Sequence, residues 1–351
     1  MKIIRLSTFL DFGGVEKRLT NVASVQDDND WIFCAINKGG QAQKEILAKN
    51  KKAICLNLPY KIPNFKTLYK LYVFLKNHKP DVIHTSGAEA NFHGVLAAKL
   101  AGVPKIIAEE IGVPNQGRLS KLIFSVIYKL ADKVVGNSVP VINYLQQNND
   151  VPESKVKLIP NPIIFKSLEN KRITNSVFKI ISVSRLEPVK NIKAVINVVK
   201  RLNEAGRPIH YDIVGSGSEE TELKKQVEEL NLKNCVSFLG FNSDPYPFLL
   251  NADVYVINSF TEGFSNSLIE AMYSGMPSVS TKSGSAEEII EHGVNGWLVE
   301  VGNENDLLNT LKHIMKLSGP DRTKVGLNGK TFVEANYSLD IHINHLIEIY
   351  Q

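Results

Sequence analysis

The stretch Thr261-Glu262-Gly263-Phe264-Ser265-Asn266-Ser267-Leu268-Ile269-Glu270-Ala271-Met272 decides how this chain is read. The apolar run before it, Val254-Tyr255-Val256-Ile257, reads as a buried strand that stops at Asn258-Ser259. A loop containing Gly263 follows, and a helix is expected from about Ser265. Gly263 permits a tight turn or a close backbone approach. The first amides of such a helix point outward without partners, which favours an anion such as a phosphate. Glu262 in the loop and Glu270 in the helix stand up to roughly 12 Å apart along the axis. That separation suits two carboxylates gripping hydroxyl groups at opposite ends of an elongated phosphate ester. An N-capping loop followed by a solvent-facing Glu fits the same residues equally well.

The rest of the chain sets this stretch in context. Lys2 to Phe9 is a strand ending at Asp11-Phe12-Gly13-Gly14, with a helix from Val15 to Ala23. Strands are expected at Trp31–Ile36, Ala53–Leu58, Asp81–His84, Lys105–Glu109 and Lys133–Val135, and helices at Phe65–Lys76, Ala90–Ala101 and Leu119–Leu130. The segment from Asn161 to Asn175, Pro-containing and mixed in polarity, reads as a linker. A second series follows, with strands at Phe178–Ser184, Ile209–Val214, Val236–Leu239, Ala252–Ile257 and Pro277–Ser280 and a turn and strand over Val294–Val299. Its helices are expected at Ile192–Ala205, Glu219–Leu230, from Ala286, Asp306–Leu317 and Ile341–Tyr350. Alternation of this kind predicts parallel, doubly wound sheets. The length of 351 residues suggests two domains, placed at 1–165 and 166–351.

Composition narrows the class. Apolar and charged content are ordinary for a globular protein. No apolar run reaches the length of a membrane span, and the N-terminus enters a strand with no signal peptide in front of it. Cys34, Cys55 and Cys235 are odd in number and set among apolar residues, which reads as buried thiols in a reducing compartment. The net charge of +5 is unevenly spread: residues 1–165 carry 22 Lys and Arg against 13 Asp and Glu. A basic half points to an anionic partner such as an acidic membrane surface or a phosphorylated acceptor, and a lysine-rich solvated surface reads as well. Nothing points to nucleic acid.

Ligands of doubly wound sheets sit at the carboxyl ends of the strands. That rule selects Gly13, Gly14, His84 and Glu110 as one candidate rim, although His84 also reads as a core or capping histidine. In the second half Arg185 and Lys190 follow one strand and make a phosphate clamp, Arg through bidentate hydrogen bonds and Lys as a point charge, although surface cations around a turn fit the same residues. Asp28-Asn29-Asp30 has the DxD form of metal-dependent sugar transferases, but it precedes a strand and reads as a surface turn. No His, Cys or carboxylate spacing indicates a bound metal, and no cofactor is expected.

These residues resemble the family 4, or group 1, retaining glycosyltransferases of GT-B fold. The similarity runs through Ser182-Val183-Ser184-Arg185-Leu186 with Lys190-Asn191, Val214-Gly215-Ser216-Gly217 and Phe238-Leu239-Gly240. It continues through Glu262-Gly263-Phe264 to Glu270-Ala271, then Gly284, Glu288-Ile289-Ile290 and Gly293-Val294-Asn295-Gly296. Gly13-Gly14-Val15-Glu16 and Asp81-Val82-Ile83-His84 also look like family features.

The resemblance implies two Rossmann-like domains facing across a cleft, with a nucleotide sugar on the second and the acceptor on the first. The last helix is expected to pack back on the first domain. The family assigns Arg185 and Lys190 to the donor diphosphate, Glu270 to the ribose hydroxyls, and Glu262 with Gly263, Phe264, Ser265, Asn266 and Ser267 to the donor sugar and phosphate. Gly215, Gly240 and Phe241 border the nucleotide, and the Gly13-Gly14 turn closes over the phosphates. Many relatives carry a His after the strand at Lys105, where this chain has Glu109-Glu110, so either Glu110 or His84 takes up that contact.

The implied activity is transfer of a hexose or N-acetylhexosamine, from a UDP-linked donor by the family's commonest usage, to a lipid-linked or lipopolysaccharide- or capsule-type glycan. The alternatives are a GT-B nucleotide-sugar epimerase or a non-catalytic nucleotide-sugar-binding protein. A nicotinamide oxidoreductase would need a full dinucleotide fingerprint, which is missing. The segment Gln116 to Lys133 mixes basic and apolar residues and reads either as a helix dipping into an anionic bilayer or as a core helix with polar ends. The expected location is the cytoplasm, with the basic half at the inner face of the plasma membrane.

Overall fold

A computed structural model describes residues 1–11, 13–168, 177–206 and 208–351. In chain order the elements are β1 (Lys2–Ser7), α1 (Gly14–Val22), β2 (Asp30–Ala35), α2 (Gln41–Ala48), β3 (Lys52–Cys55), α3 (Phe65–His78), β4 (Val82–Ser86) and α4 (Ala88–Ala101). They continue with β5 (Lys105–Glu110), α5 (Arg118–Leu130), β6 (Lys133–Gly136), α6 (Val139–Asn149), β7 (Val156–Leu158), β8 (Phe178–Val183) and α7 (Ile192–Glu204). Next come β9 (Ile209–Val214), α8 (Glu220–Glu229), β10 (Val236–Gly240), α9 (Tyr246–Leu249), β11 (Val254–Ile257), α10 (Asn266–Tyr273) and β12 (Ser278–Thr281). The chain closes with α11 (Ala286–Ile289), β13 (Trp297–Val299), α12 (Glu304–Lys316), α13 (Gly319–Asn336) and α14 (Leu339–Tyr350).

These elements form two compact units, Met1–Ile164 with Leu339–Gln351, and Phe165–Ser338. Part of the expected linker, residues 169–175, lies outside the described residues; Asn161 to Ile164 belong to the first unit.

The first unit holds a parallel sheet in the order β3-β2-β1-β4-β5-β6-β7. Its strands are apolar on both faces because helices cover both. On one face Leu6, Ile83, Ile106 and Val134 pack with Leu71, Ala97 and Phe124. On the other, Ile3, Phe33, Val82 and Ile107 pack with Leu19, Val22 and the α14 residues Ile343, Leu346, Ile349 and Tyr350. The second unit holds a parallel sheet in the order β10-β9-β8-β11-β12-β13, packed with α7 and α12 through Val195, Val199, Leu307 and Leu311. In each sheet the strand order reverses once, between β1 and β4 and between β8 and β11. Chain crossovers leave a crevice at such a point, on the carboxyl side.

The sequence reading missed α2, α6, α9, α13 and β7. Helix α13, the longest, has Gly326, Gly329 and Val333 as its only buried residues, so it lacks the apolar stripe that betrays a helix. Gly326 and Gly329 let the backbone press onto α10 and neighbouring loops: a Cβ on Gly326 would stand 2.1 Å from the Gly275 carbonyl oxygen, and one on Gly329 2.9 Å from that of Asn295.

Gly326→Ala therefore reverses the usual rule. Helix propensity alone favours Ala by about 1 kcal/mol, but the clash is expected to destabilise the second unit by about 1–3 kcal/mol. A lowered denaturant midpoint in circular dichroism checks this.

Candidate functional site

In the second unit an ion pair spans the crevice between β8 and β11. A short helical turn after β8, Pro188–Lys190, presents Lys190, whose Nζ donates to Glu262 Oε1 at 2.5 Å. Glu262 comes from the loop after β11, and its Oε1 also accepts from Ser259 Oγ at 2.7 Å. The two loops are stitched by Phe260 N donating to Val189 O at 2.8 Å. Both charged side chains are largely covered, at 14% and 12% exposure, so each needs the other to offset lost hydration. Arg185, by contrast, is exposed and donates to Glu187 at 2.6 Å.

Glycines let the neighbouring loops reach this point. Gly215 follows β9 with φ +146°, and a Cβ there would stand 1.8 Å from the Ser184 carbonyl oxygen. Its amide donates to Gly240 O at the end of β10. Gly284, at φ +60°, lies so close to Glu262 that a Cβ would stand 2.5 Å from that residue's carbonyl oxygen, and Ser285 N donates to Gly263 O at 3.1 Å. Ser265 is the N-cap of α10 and makes no side-chain cap bond. Asn266 opens the helix, Ser267 Oγ accepts from Tyr255 at 2.8 Å, and Glu270 is buried on the second turn. Phe264 packs on Tyr337 with ring centroids 5.6 Å apart, and Phe241 is exposed beyond β10. The hydroxyls of Ser184, Tyr246 and Ser285 are buried and make no hydrogen bond. Burial pushes the Tyr246 hydroxyl up, and the charge on Glu270 adds to it.

At the carboxyl edge of the first unit, Gly13 precedes α1 and Gly14 opens it, while Phe12 lies outside the described residues. Thr8, after β1, donates to Glu89 at the start of α4, at 3.2 Å across the crevice between β1 and β4. Glu110 ends β5; it is buried, with Oε2 accepting from Tyr128 at 2.8 Å and Oε1 from Ile111 N at 3.1 Å. Burial outweighs these donors and pushes its carboxyl up to about 7.

Comparison with known proteins fits this geometry. The model for glycosyl transferases group 1 matches residues 165–332, and that for Glycosyltransferase Family 4 matches residues 12–165. The chain belongs to the group 1, family 4 glycosyltransferases. This glycosyltransferase is 29% identical, over 71% of its length and 72% of the relative's, to N-acetylgalactosamine-N,N'-diacetylbacillosaminyl-diphospho-undecaprenol 4-alpha-N-acetylgalactosaminyltransferase of Campylobacter jejuni. It is 25% identical, over 74% and 73%, to the UDP-Gal:alpha-D-GlcNAc-diphosphoundecaprenol alpha-1,3-galactosyltransferase of Escherichia coli. Among solved structures, Anabaena Alr3699/HepE in complex with UDP matches 99% of both chains at a TM-score of 0.87 and 20% identity, a likeness of fold. The fold is GT-B, with two Rossmann-like domains.

Of the two readings that the sequence leaves for His84, the glycosyltransferase departs from the rim and matches the core. Strand β4 runs on through Ser86, so His84 lies mid-strand in the core and not on the rim. Its Nδ1 shares a 2.7 Å hydrogen bond with the Tyr350 hydroxyl, and burial, then the charge of Arg5, lowers its pKa to about 4. Around it lie Arg5, Arg18, Glu109, Ser86 and His342, a cluster that no local sequence pattern announces. Ser259 and Tyr246 in the second unit were likewise missed. The Asp28-Asn29-Asp30 turn leads into the amino end of β2, where Lys52 pairs with Asp30 at 2.8 Å. Cys34 is buried, whereas Cys55 and Cys235 are only partly so.

Glu110 makes a pH signature. An acid whose folded pKa is raised stabilises the fold below its unfolded value, and this contribution is lost as pH rises toward 7. His84 and His342, with lowered pKa values of about 4 and about 3, act oppositely below their ordinary range, so a difference curve is needed. Subtracting the denaturant stability of Glu110→Gln from that of the wild type between pH 4.5 and 8 is expected to show a fall of up to about 3 kcal/mol.

Proposed function

We propose that this glycosyltransferase moves a hexose or N-acetylhexosamine, with retention and without a metal, from a UDP-linked donor to a lipid-linked glycan acceptor. The observation that carries the reading is the Lys190–Glu262 pair over the crevice between β8 and β11, beside the uncapped start of α10. A diphosphate there would meet Lys190, Arg185 and the α10 amides, which together offset the charge that develops on a leaving group. Glu270, deeper on α10, is the candidate for the ribose hydroxyls. Gly240 and Phe241 would border the base, and Ser184, Tyr246 and Ser285 offer unused hydroxyls to a polar ligand. In the first unit Gly13 and Gly14 are the candidates to close over the phosphates, and Glu110 to meet the sugar or acceptor.

In the transfer, the bond from the sugar's anomeric carbon to the diphosphate oxygen breaks, and its electron pair leaves with the nucleoside diphosphate. The acceptor hydroxyl oxygen forms the new bond on the same face and gives its proton to a phosphate oxygen of the leaving group. Glu262 stabilises the oxocarbenium-like centre and holds Lys190 in place. Support for a lipid-linked acceptor comes from the two relatives, which are named for transfer to diphospho-undecaprenol-linked glycans.

The first unit offers a surface suited to such an acceptor. Leu119, Leu122 and Val126 face outward on α5 at 71%, 65% and 54% exposure, beside Arg118 and Lys129. The buried side of α5 carries Phe124, Ile127 and Tyr128, so the helix has both the core face and the free apolar face that the sequence left open. Residues 111–131 hold no carboxylate, which favours an anionic bilayer at the inner face of the plasma membrane.

Calorimetric titration in EDTA with UDP, GDP and ADP tests the donor site: UDP is expected to bind, and Lys190→Ala to weaken it at least about tenfold, a loss of about 1.4 kcal/mol. Failure of all three nucleotides to bind would sink the reading. Sedimentation with phosphatidylglycerol vesicles at low salt tests the surface. Leu122→Glu with Val126→Glu is expected to cut the bound fraction about tenfold, and equal sedimentation of variant and wild type would dismiss α5.

A further inference from the structure

Beneath the Gly13-Gly14 turn the first unit buries an ionic cluster that contributes poorly to stability. Arg18, one helical turn after Gly14, donates from Nη1 to Glu109 Oε1 at 2.6 Å and from Nη2 to Glu109 Oε2 at 2.5 Å. Its Nη1 also reaches Asn161 Oδ1 at 3.0 Å. Glu109 Oε2 accepts from Ser86 at 2.6 Å and has Arg5 Nη2 and His84 Nε2 at 3.5 Å. Arg5 Nη1 donates to the Tyr350 hydroxyl at 3.4 Å. The residues are almost fully covered, at 0% for Arg5, 3% for Arg18 and 1% for Glu109.

One carboxylate thus serves two guanidinium groups. Arg5 Nε and Nη2, Arg18 Nε, His84 Nε2 and His342 Nε2 are buried without a hydrogen bond. Replacing a buried ion pair by apolar side chains of similar volume is often neutral or stabilising, and the unsatisfied donors add to the cost. Stability does not account for this arrangement.

Its geometry accounts for it better. Arg18 and Gly14 are four residues apart on α1 and so share a face. The planar fork of Arg18 fixes both distance and rotation relative to the carboxylate. The carboxylate's own backbone is held as well: Asn91 Nδ2 and Gly87 N donate to Glu109 O at 2.9 and 3.1 Å. Glu109 is followed by Glu110, the last residue of β5. One bidentate contact therefore links the helix that opens at the Gly13-Gly14 turn to the strand end that carries Glu110.

We infer that Arg18 and Glu109 are positioning residues for transfer: their buried fork sets the Gly13-Gly14 turn and Glu110 in register, without touching substrate. The inference rests on the proposed function, in which that turn closes over the donor phosphates and Glu110 meets the sugar or acceptor. Two variants separate positioning from stability. Arg18→Met with Glu109→Leu removes both charges at similar volume, and Arg18→Lys keeps the charge but loses the fork.

The probes are UDP binding by calorimetry, UDP release from a panel of UDP-glucose, UDP-galactose and their N-acetylamino counterparts, denaturant midpoints, and amide exchange over residues 13–18. In the double variant the midpoint is expected to equal or exceed that of the wild type. UDP affinity should stay within about twofold, while kcat for UDP release falls about 100-fold, the cost of a displacement near 1 Å. Arg18→Lys should show the same fall in kcat, and both variants faster exchange at the turn. Retention of kcat within about threefold in either variant, or unchanged exchange, overturns the inference. If the wild type neither binds UDP nor releases it from any sugar, the proposed function fails, and the exchange rates alone then decide whether the fork holds the turn.

Discussion

A hydrogen-bonded ion pair, Lys190 with Glu262, joins the ends of two strands that lie side by side in the sheet but far apart in the sequence. Lys190 Nζ lies 2.5 Å from Glu262 Oε1, each side chain reaching in from the loop that follows its strand. Because β8 and β11 meet where the strand order reverses, their outgoing loops turn in opposite directions and leave a crevice. The loops then refill its rim: Gly215 lies against Ser184, Gly284 against Glu262, and Phe260 bonds to the Val189 carbonyl. Side chains at those glycine positions would push the loops apart, and with them the pair. A charge pair so covered is costly to expose and costly to break, so the site is shaped before any ligand arrives.

The first unit has the corresponding crevice between β1 and β4, and there Thr8 and Glu89 make the crossing contact. The two crevices differ in chemistry. The second unit pairs its cations with carboxylates, Lys190 with Glu262 and Arg185 with Glu187, whereas the first ends in Glu89 and Glu110 over a buried cluster of Arg5, Arg18, His84 and Glu109.

Much of this was legible in the sequence where the signal was local. Strand after strand ended within a residue or two of its expected place, and the loop from Thr261 to Ser265 with the helix at Asn266 followed from Gly263 and the apolar run before it. What escaped was non-local or unpatterned. Helix α13 packs by glycines and carries no apolar stripe. Helix α6 is rich in Asn and Gln, so its period is faint. For His84 the sequence leaves a rim position and a core position equally open; the core position holds, because Thr85 and Ser86 pair with β1 and β5 and carry the strand past it. Arg18 and Glu109 stand 91 residues apart, and no spacing rule connects them.

Helix α14 ties the last residues of the chain to the first. Its Leu346, Ile349 and Tyr350 complete the core formed by Ile3, Trp31 and Phe33, while the second unit is drawn from one continuous stretch. On a ribosome the order of events follows. The described strands and helices of the second unit are all present once Ser338 has emerged, but the first unit keeps an apolar flank and the Arg5–His84 face uncovered until α14 arrives. The unit whose strands emerge earlier is therefore completed after the one that follows it, and during synthesis its open flank is the surface that a chaperone would meet.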